Sequence, residues 1–552
     1  MFRIGLVHPQ RTPPRRARAA ALKQEPNLAA QPGLGRWQVL AAAAMATTAG
    51  LSHAASWLWP PVAPGTWIGQ ALLIALGAAN RPRAALAWGT VAGAIGIGLS
   101  FSWGLATLQS TLDASPATAG ALFALLVAVE ALPFGLAALV ASLAARRGPS
   151  ALWLVPCLWT ALEWCYPRLF GWRLAYSQLE WLPLVQIAEL AGSTSIGFVV
   201  TAAAAIPAVL ATFGRRAAPR ATRRAAWRYI LLAGGLGAAT LVYGQVRLTQ
   251  LERWLAGQPA RRIGLVQVDP ALVGSEEKLR QASLSVHRTL DWLCWPETAL
   301  GTYCETLRDF RDPEQVRRLS RDSHQSLAPA AGLACPLLAG GRLYGPSAGP
   351  DGPYAMAALL IGPDQEIWGK YRKRTLMPLG EYVPGQTWLP ALRRWATIAD
   401  ELVPGDDPRP LVTPRGERLG VLLCYEDTLP HHSRQTVACG AQILVSLIQG
   451  TAFEHPRTLV QHQRLAVLRA VENRRFFARC ASTGVTCLMA PTGRVVGQLP
   501  LGTEGVLEGS VVLLDHRTPY CRGGEWFPLA CALVLLAAAG PWAWRRQSAC
   551  RR

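Results

Sequence analysis

The distribution of apolar positions changes character near residue 250. Before it, long uncharged runs dominate; after it, short apolar segments of strand length alternate with amphipathic ones. Between Arg36 and Arg81 no formally charged residue appears over 44 positions, room for two membrane spans of about 20 residues each. Further runs cover Ala84–Leu112, Ala114–Ala145 (broken only by Glu130), Gly148–Leu162, Leu190–Gly214, Tyr229–Val246 and Phe527–Trp544. The pattern predicts seven spans before residue 250 and one at the C-terminus, the 148–162 run being the shortest.

Between Arg262 and His516 the apolar segments are Ile263–Val268, Thr289–Trp295, Leu333–Ala339, Met356–Ile361, Arg418–Cys424, Ala441–Leu447, Ala478–Cys480, Val485–Ala490 and Val506–Leu514. Helical stretches fall at Ser275–Thr289, Pro313–Ser326, Pro430–Cys439 and Arg457–Asn473. Fully apolar strands alternating with helices predict an α/β domain whose sheets are covered on both faces. The chain therefore divides into a basic tail (1–36), a transmembrane domain (37–247), an α/β domain (248–525) and a C-terminal span with its own basic tail (526–552).

Charge supplies orientation. Basic clusters stand in the N-terminal tail (Arg11, Arg15, Arg16, Arg18, Lys23), at Arg81 and Arg83, at Arg146 and Arg147, from Arg215 to Arg228, and at Arg545, Arg546, Arg551 and Arg552. The intervening loops, near Asp113 and around Arg173, Glu180 and Glu189, are poor in cations. With eight spans every cluster falls on one side, which the positive-inside rule makes cytoplasmic. The α/β domain then lies outside the cytoplasm. The net charge of +21 is thus largely topogenic, and its natural partner is the bilayer with its anionic headgroups rather than nucleic acid. The first span, with its basic front end, reads as an uncleaved anchor rather than a signal peptide.

Twelve Cys include no Cys-x-x-Cys pair, and no His cluster has metal spacing, so neither a metal nor a cofactor is expected. Cys294, Cys335, Cys439, Cys480 and Cys487 read as buried small hydrophobes. A disulfide through Cys304 stays open, and the adjacent His431 and His432 read as surface residues.

Three reactive side chains stand far apart. Glu297 lies in Trp295-Pro296-Glu297-Thr298-Ala299 after a strand, and Lys373 in Lys370-Tyr371-Arg372-Lys373-Arg374. Cys424 closes a strand in Gly420-Val421-Leu422-Leu423-Cys424-Tyr425-Glu426-Asp427. A thiol needs a base to become a nucleophile, and the oxyanion it creates needs a cation or N–H donors. Of 55 basic residues only Lys23, Lys278, Lys370 and Lys373 are Lys. Lys is the cation able to share a proton, and Lys373 is the candidate; Lys370 reads as a solvated loop residue.

These residues resemble the nitrilase, or carbon–nitrogen hydrolase, superfamily, and the whole chain resembles the apolipoprotein N-acyltransferase family. Outside the three motifs the resemblance rests on Gly171–Gln178, Val266-Gln267, Gln461-His462, Arg469–Asn473, Thr483-Gly484 and Tyr520–Trp526. It implies an αββα sandwich carrying a Glu297–Lys373–Cys424 triad, with no cofactor. It also implies a bacterial inner-membrane enzyme facing the periplasm. Cys424 would take an acyl chain from a phospholipid as a thioester and pass it to the α-amino group of a diacylated lipoprotein. Glu297 would be the base and Lys373 the oxyanion cation, with Glu381 and Glu426 supporting Lys373 and a backbone N–H near Tyr425 assisting. The sequence departs from the family pattern at Ile448–Phe453, Tyr354–Ala357 and Ser482–Gly484. The altered loop is where an alternative diverges, a membrane-anchored nitrilase-type amidase or acyltransferase acting on another amine.

Overall fold

The computed structural model describes residues 34–59, 62–112, 114–168, 171–269, 275–304, 330–344, 353–378, 380–383, 385, 388–389, 402–451 and 455–550. The chain divides into two compact units, Met1–Ala44 and Met45–Arg552. The first holds, among described residues, only the opening turns of a helix over Leu34–Leu58; everything below concerns the second.

Every uncharged run contains a helix. Proline opens several of them, at Pro64–Ala79, Pro82–Ser100 and Pro116–Ala145, where its missing N–H would have no intrahelical partner anyway. Among the described residues three helices are long and apolar enough to cross a membrane: Pro116–Ala145, Thr194–Phe213 and Arg220–Ala256. A fourth follows if Pro82–Ser100 and Gly104–Ser110, bent by 62° across Phe101–Trp103, form one broken span. The Leu190–Gly214 run is itself interrupted at Ala205, just before Pro207, a residue that removes one ladder hydrogen bond and crowds the preceding turn. The run starting at Tyr229 is longer than its apolar core suggests. Its helix continues to Ala256 and delivers the chain to the first strand of the α/β domain.

That domain has two sheets. The first runs β13-β1-β2-β4-β5-β6, with β3 beside β4, and the second β12-β11-β10-β9-β8-β7. The strands are β1 (Ala260–Gln267), β2 (Trp292–Cys294), β3 (Thr302–Cys304), β4 (Leu337–Tyr344), β5 (Tyr354–Ile361), β6 (Ile367–Arg372), β7 (Leu411–Val412), β8 (Arg418–Leu423), β9 (Ile443–Ile448), β10 (Phe477–Ala481), β11 (Cys487–Met489), β12 (Val495–Gln498) and β13 (Gly505–Val512). Strand alternation splits each strand between two cores. Ile263, Leu265, Trp292, Cys294 and Leu338 face the second sheet, packing with Leu419, Val421, Leu423, Val445 and Cys480. Their neighbours Val266, Leu293, Trp295 and Leu337 face outward with Leu279 of the helix Ser275–Leu284. The outer face of the second sheet is covered by helices Pro430–Ala438 and Pro456–Asn473. Helix, sheet, sheet, helix is the expected layering.

Several expectations need correction. The Ser275–Thr289 helix stops at Leu284, with a separate 3-10 turn at His287–Thr289. The strand expected at Leu333–Ala339 is β4, displaced to Leu337–Tyr344, and that at Thr289–Trp295 shortens to β2. Pro313–Ser326 and the basic tail before residue 34 lie outside the described residues, as does the Cys304 side chain. Lys370 is exposed as expected, but on strand β6 rather than a loop. His432 is buried, bonded to Thr375 Oγ1 at 2.7 Å, while His431 stays at the surface. Burial, with Arg374 and His431 nearby, pushes His432 down to about 2, so it stays neutral. Cys439 is exposed, unlike Cys294, Cys335, Cys480 and Cys487, because it caps the end of helix Pro430–Ala438 on the solvent side.

Candidate active site

Glu297, Lys373 and Cys424 each follow the carboxyl end of a strand: β2, β6 and β8. Side chains leaving neighbouring strand ends of two packed sheets converge above their shared edge. Lys373 Nζ lies 3.0 Å from Glu297 Oε1 and 2.6 Å from Glu381 Oε1. All three carboxylate and ammonium groups are largely withdrawn from solvent, Lys373 at 1% side-chain exposure. The other oxygens are occupied too: Glu297 Oε2 accepts the Gln449 N–H at 3.2 Å, and Glu381 Oε2 the Met377 N–H at 2.7 Å. The Cys424 thiol points to the Gln449 carbonyl at 4.0 Å. One residue therefore touches both the sulfur, through its C=O, and the carboxylate, through its N–H.

The backbone holds each group in place. The Lys373 N–H donates to Met356 O at 2.8 Å and its carbonyl accepts from Gly405 N at 2.7 Å, fixing the lysine just beyond β6. Cys424 is one of three non-glycine residues with positive φ among those described, at +47°. A left-handed conformation costs a cysteine on the order of 1–3 kcal/mol and concentrates at functional sites. Here it throws the side chain clear of the strand at the start of a 3-10 turn, Cys424–Thr428. The first N–H groups of a helical turn point away from its own carbonyls, the direction from which donors can serve an oxyanion.

Glu426, fully buried, does not reach Lys373 directly. Its Oε1 accepts the N–H groups of Arg374 and Thr375 at 2.6 and 3.0 Å, and its Oε2 accepts from Tyr371 Oη and Leu423 N at 2.7 and 2.9 Å. It supports the lysine by fastening the segment that carries it to the turn that carries the thiol. Tyr425 is buried beside Cys424, and burial, with Tyr382 nearby, pushes its phenol up to about 12.

Electrostatics follow from burial. Burial, then the Glu297 charge, pushes the Cys424 thiol well above its ordinary range, with Lys373 opposing. Burial also raises Glu297 against the pull of Lys373. Burial alone would lower the Lys373 ammonium, but Glu297 and Glu381 overcome it and hold it well above the usual value. The site thus pairs a protonated thiol with a carboxylate made more basic, beside a permanent cation. That combination can generate a nucleophile on demand and stabilise a tetrahedral oxyanion.

Two features were not read from the sequence. An apolar pocket opens at the sulfur, walled by Cys424, Tyr425, Met377, Leu465 and three aromatics of the helical region, Trp57, Phe101 and Trp103. Phe101 and Trp103 sit at the bent helix break. Trp103 Nε1 donates to Gln461 Oε1 at 2.8 Å, and Gln461 Nε2 donates to Ser100 O at 3.0 Å, locking that break to helix Pro456–Asn473. The second feature is a cluster that joins the same helix, through His462, to the 424–428 turn and strands β9 and β10. His462 Nε2 lies 2.8 Å from Asp427 Oδ1, while Asp427 Oδ2 receives Arg479 Nε and Ser446 Oγ, both at 3.2 Å. Gln461-His462 was singled out as a motif without a role, and Asp427 simply follows Glu426.

The Gly171–Gln178 stretch is a junction between helical region and sandwich. Leu174 N donates to Glu163 Oε1 at 2.8 Å, Trp172 Nε1 to Glu130 Oε2 at 3.0 Å, and Arg464 Nη2 to Tyr176 O at 2.9 Å. Both buried carboxylates of the helical region are thereby engaged in structure.

Residues 262–517 match the carbon-nitrogen hydrolase family, and residues 49–206 match the apolipoprotein N-acyltransferase N-terminal domain. The chain is 30% identical over 526 residues to an apolipoprotein N-acyltransferase of Geobacter metallireducens, covering 91% of this chain and 95% of that protein. It is 29% identical over 400 residues to one of Pseudomonas putida, covering 70% and 72%. Among solved structures an amidase from Nesterenkonia sp. aligns with a TM-score of 0.34 at 22% identity, over 48% of this chain and 92% of that one. On these matches along nearly its whole length, the chain belongs to the apolipoprotein N-acyltransferase family.

Proposed function

We propose that this protein moves a fatty acyl chain from a phospholipid to the α-amino group of a diacylglyceryl-cysteine lipoprotein, through a thioester on Cys424. One observation carries the reading. The sulfur lies between a buried carboxylate–ammonium pair and an apolar pocket walled by aromatics of the helical region. An acyl chain entering from a bilayer would reach the thiol without crossing water. Family membership favours transfer over the amidase alternative.

In the first half-reaction Glu297 takes the Cys424 proton and the thiolate attacks the ester carbonyl. Lys373 and the N–H groups at the start of the 424–428 turn hold the oxyanion. Collapse expels the lysophospholipid alkoxide, which recovers the proton from Glu297. In the second half-reaction the acceptor amine attacks the thioester and the sulfur leaves. Glu381 keeps the Lys373 ammonium aimed, and Glu426 fixes the spacing between lysine and thiol. The five basic clusters and seven apolar runs, the first long enough for two spans, support eight spans in the bacterial inner membrane, with the sandwich on the periplasmic side.

Incubation with phospholipid alone tests the scheme. An acyl mass adduct on Cys424, absent in Cys424→Ser, is expected. Turnover by Cys424→Ser, or an adduct on another cysteine, would refute the nucleophile.

A further inference from the structure

Resting on that reading, the second half-reaction leaves a proton unaccounted for. At neutral pH the acceptor is an ammonium, since an α-amino group titrates at about 7.7–8.0. Forming the amide removes two protons from its nitrogen. Glu297 can take one from the tetrahedral adduct and return it to the departing sulfur, restoring the thiol and the carboxylate. The other must leave earlier, because an ammonium has no lone pair with which to attack.

The two acidic neighbours of Lys373 do not supply it: Glu297 is needed for the second proton, and Glu381 has one oxygen on the ammonium and the other on the Met377 backbone N–H. A different group is available. His462 lines the pocket that opens at Cys424, and its Nε2 faces the carboxylate of Asp427 at 2.8 Å. A carboxylate only accepts, so Nε2 carries the hydrogen and Nδ1 keeps the lone pair. Nδ1 has no hydrogen-bond partner among the described residues. Asp427, fully buried, is held ionised: burial would raise it, but His462 and Arg479 outweigh burial and lower it. Among the described residues the titratable neighbours are few. Asp427 touches the ring from the 424–428 turn, Arg479 stands behind it on β10, and Cys424 and Tyr425 share the pocket. The wall contributed by the helical region is aromatic and uncharged. Imidazole can accept a proton at one ring nitrogen while the other donates to a carboxylate.

We propose that His462, oriented by Asp427, is the base that converts the incoming α-ammonium into the attacking amine. The N–H proton passes to Nδ1, giving an imidazolium paired with Asp427. The amine nitrogen bonds to the thioester carbon, its second proton goes to Glu297 and on to sulfur, and the imidazolium then releases its proton to solvent. Net change is one thioester and one ammonium to one thiol, one amide and one released proton.

The test separates the half-reactions. Enzyme is loaded with phospholipid, freed of donor, and given a synthetic diacylglyceryl-cysteine peptide. His462→Gln, whose amide can still donate to Asp427, is compared with wild type in each half-reaction, and any loss in loading is divided out of the loss in transfer. It transfers about tenfold more slowly at pH 7, where roughly a tenth of the acceptor is free base, and within about twofold of wild type at pH 9. Transfer with the wild-type pH profile, a loss equal at both pH values, or an equal loss in loading overturns the assignment. Absence of an adduct on wild-type Cys424 instead overturns the thioester scheme itself. Asp427→Asn gives a second check. It retains the ring but not the ion pair, and should lose more in transfer than in loading at pH 7.

Discussion

Glu426 accepts the Arg374 backbone N–H at 2.6 Å although 52 positions separate the two residues. Through this contact and those to Thr375, Tyr371 and Leu423, one buried carboxylate sets the distance between the strand end bearing Lys373 and the turn bearing Cys424. Glu426→Gln leaves an amide nitrogen facing two of the four donors. An orphaned buried donor costs about 1–3 kcal/mol. A lower midpoint of thermal inactivation in detergent, together with a reduced loading rate, is expected. An unchanged midpoint would show that the carboxylate is not a fastener.

Gly340 on β4 runs against the backbone of Glu297. A Cβ there would stand 2.1 Å from the Glu297 carbonyl oxygen and 2.4 Å from its Cα. Backbone cannot yield as a flexible side chain can, so Gly340→Ala must push the carboxylate away from its partners. A misplacement of about 1 Å can cost on the order of 10²-fold in rate, and loading should fall by about that factor. Gly341→Ala is the control, since its Cβ meets a Leu300 side-chain atom at 3.0 Å and a carbonyl at 3.2 Å. Equal losses in both variants would disprove a specific effect on Glu297.

The pH dependence of loading follows from Glu297. The base works as a carboxylate, and burial raises its pKa. Activity should therefore fall with acidification in a single-proton limb lying above the ordinary glutamate value of about 4.3. Glu381 contributes to that rise, so Glu381→Gln should move the limb to lower pH. Movement to higher pH would contradict this electrostatic picture.

Much of the site was legible because its three motifs end apolar strands or adjoin them, and alternation exposes strand ends whatever the tertiary detail. Strand β6 was missed: Ile367–Arg372 is an edge strand with one buried residue, Tyr371, and its polar composition carries no apolar run. The pocket was illegible for another reason. Its walls come from Trp57, a helix break at Phe101–Trp103 and helix Pro456–Asn473, and nothing local in any of them announces the other two. The break itself falls inside a run that reads as one continuous span. His432 was misplaced because adjacency says nothing about which of two helical neighbours faces the sheet.

That pocket also makes a prediction about donor choice. Leu465 lies one turn beyond Gln461 on helix Pro456–Asn473, buried at 4% exposure, and contributes to the apolar wall near the sulfur. Replacing it with Trp extends a rigid ring into the pocket, shortening the path for an acyl chain while leaving the polar groups around Lys373 untouched. Each methylene gained or lost in an apolar pocket is worth about 1–3 kcal/mol of discrimination. Phospholipids with long chains should then lose at least about tenfold in kcat/KM, as one such increment requires. Short-chain donors should load Cys424 nearly as before, a comparison that separates pocket length from general damage to folding. If long and short donors suffer alike, the acyl chain does not occupy the space between Leu465 and the aromatics of the helical region, and the donor approaches the thiol from another side.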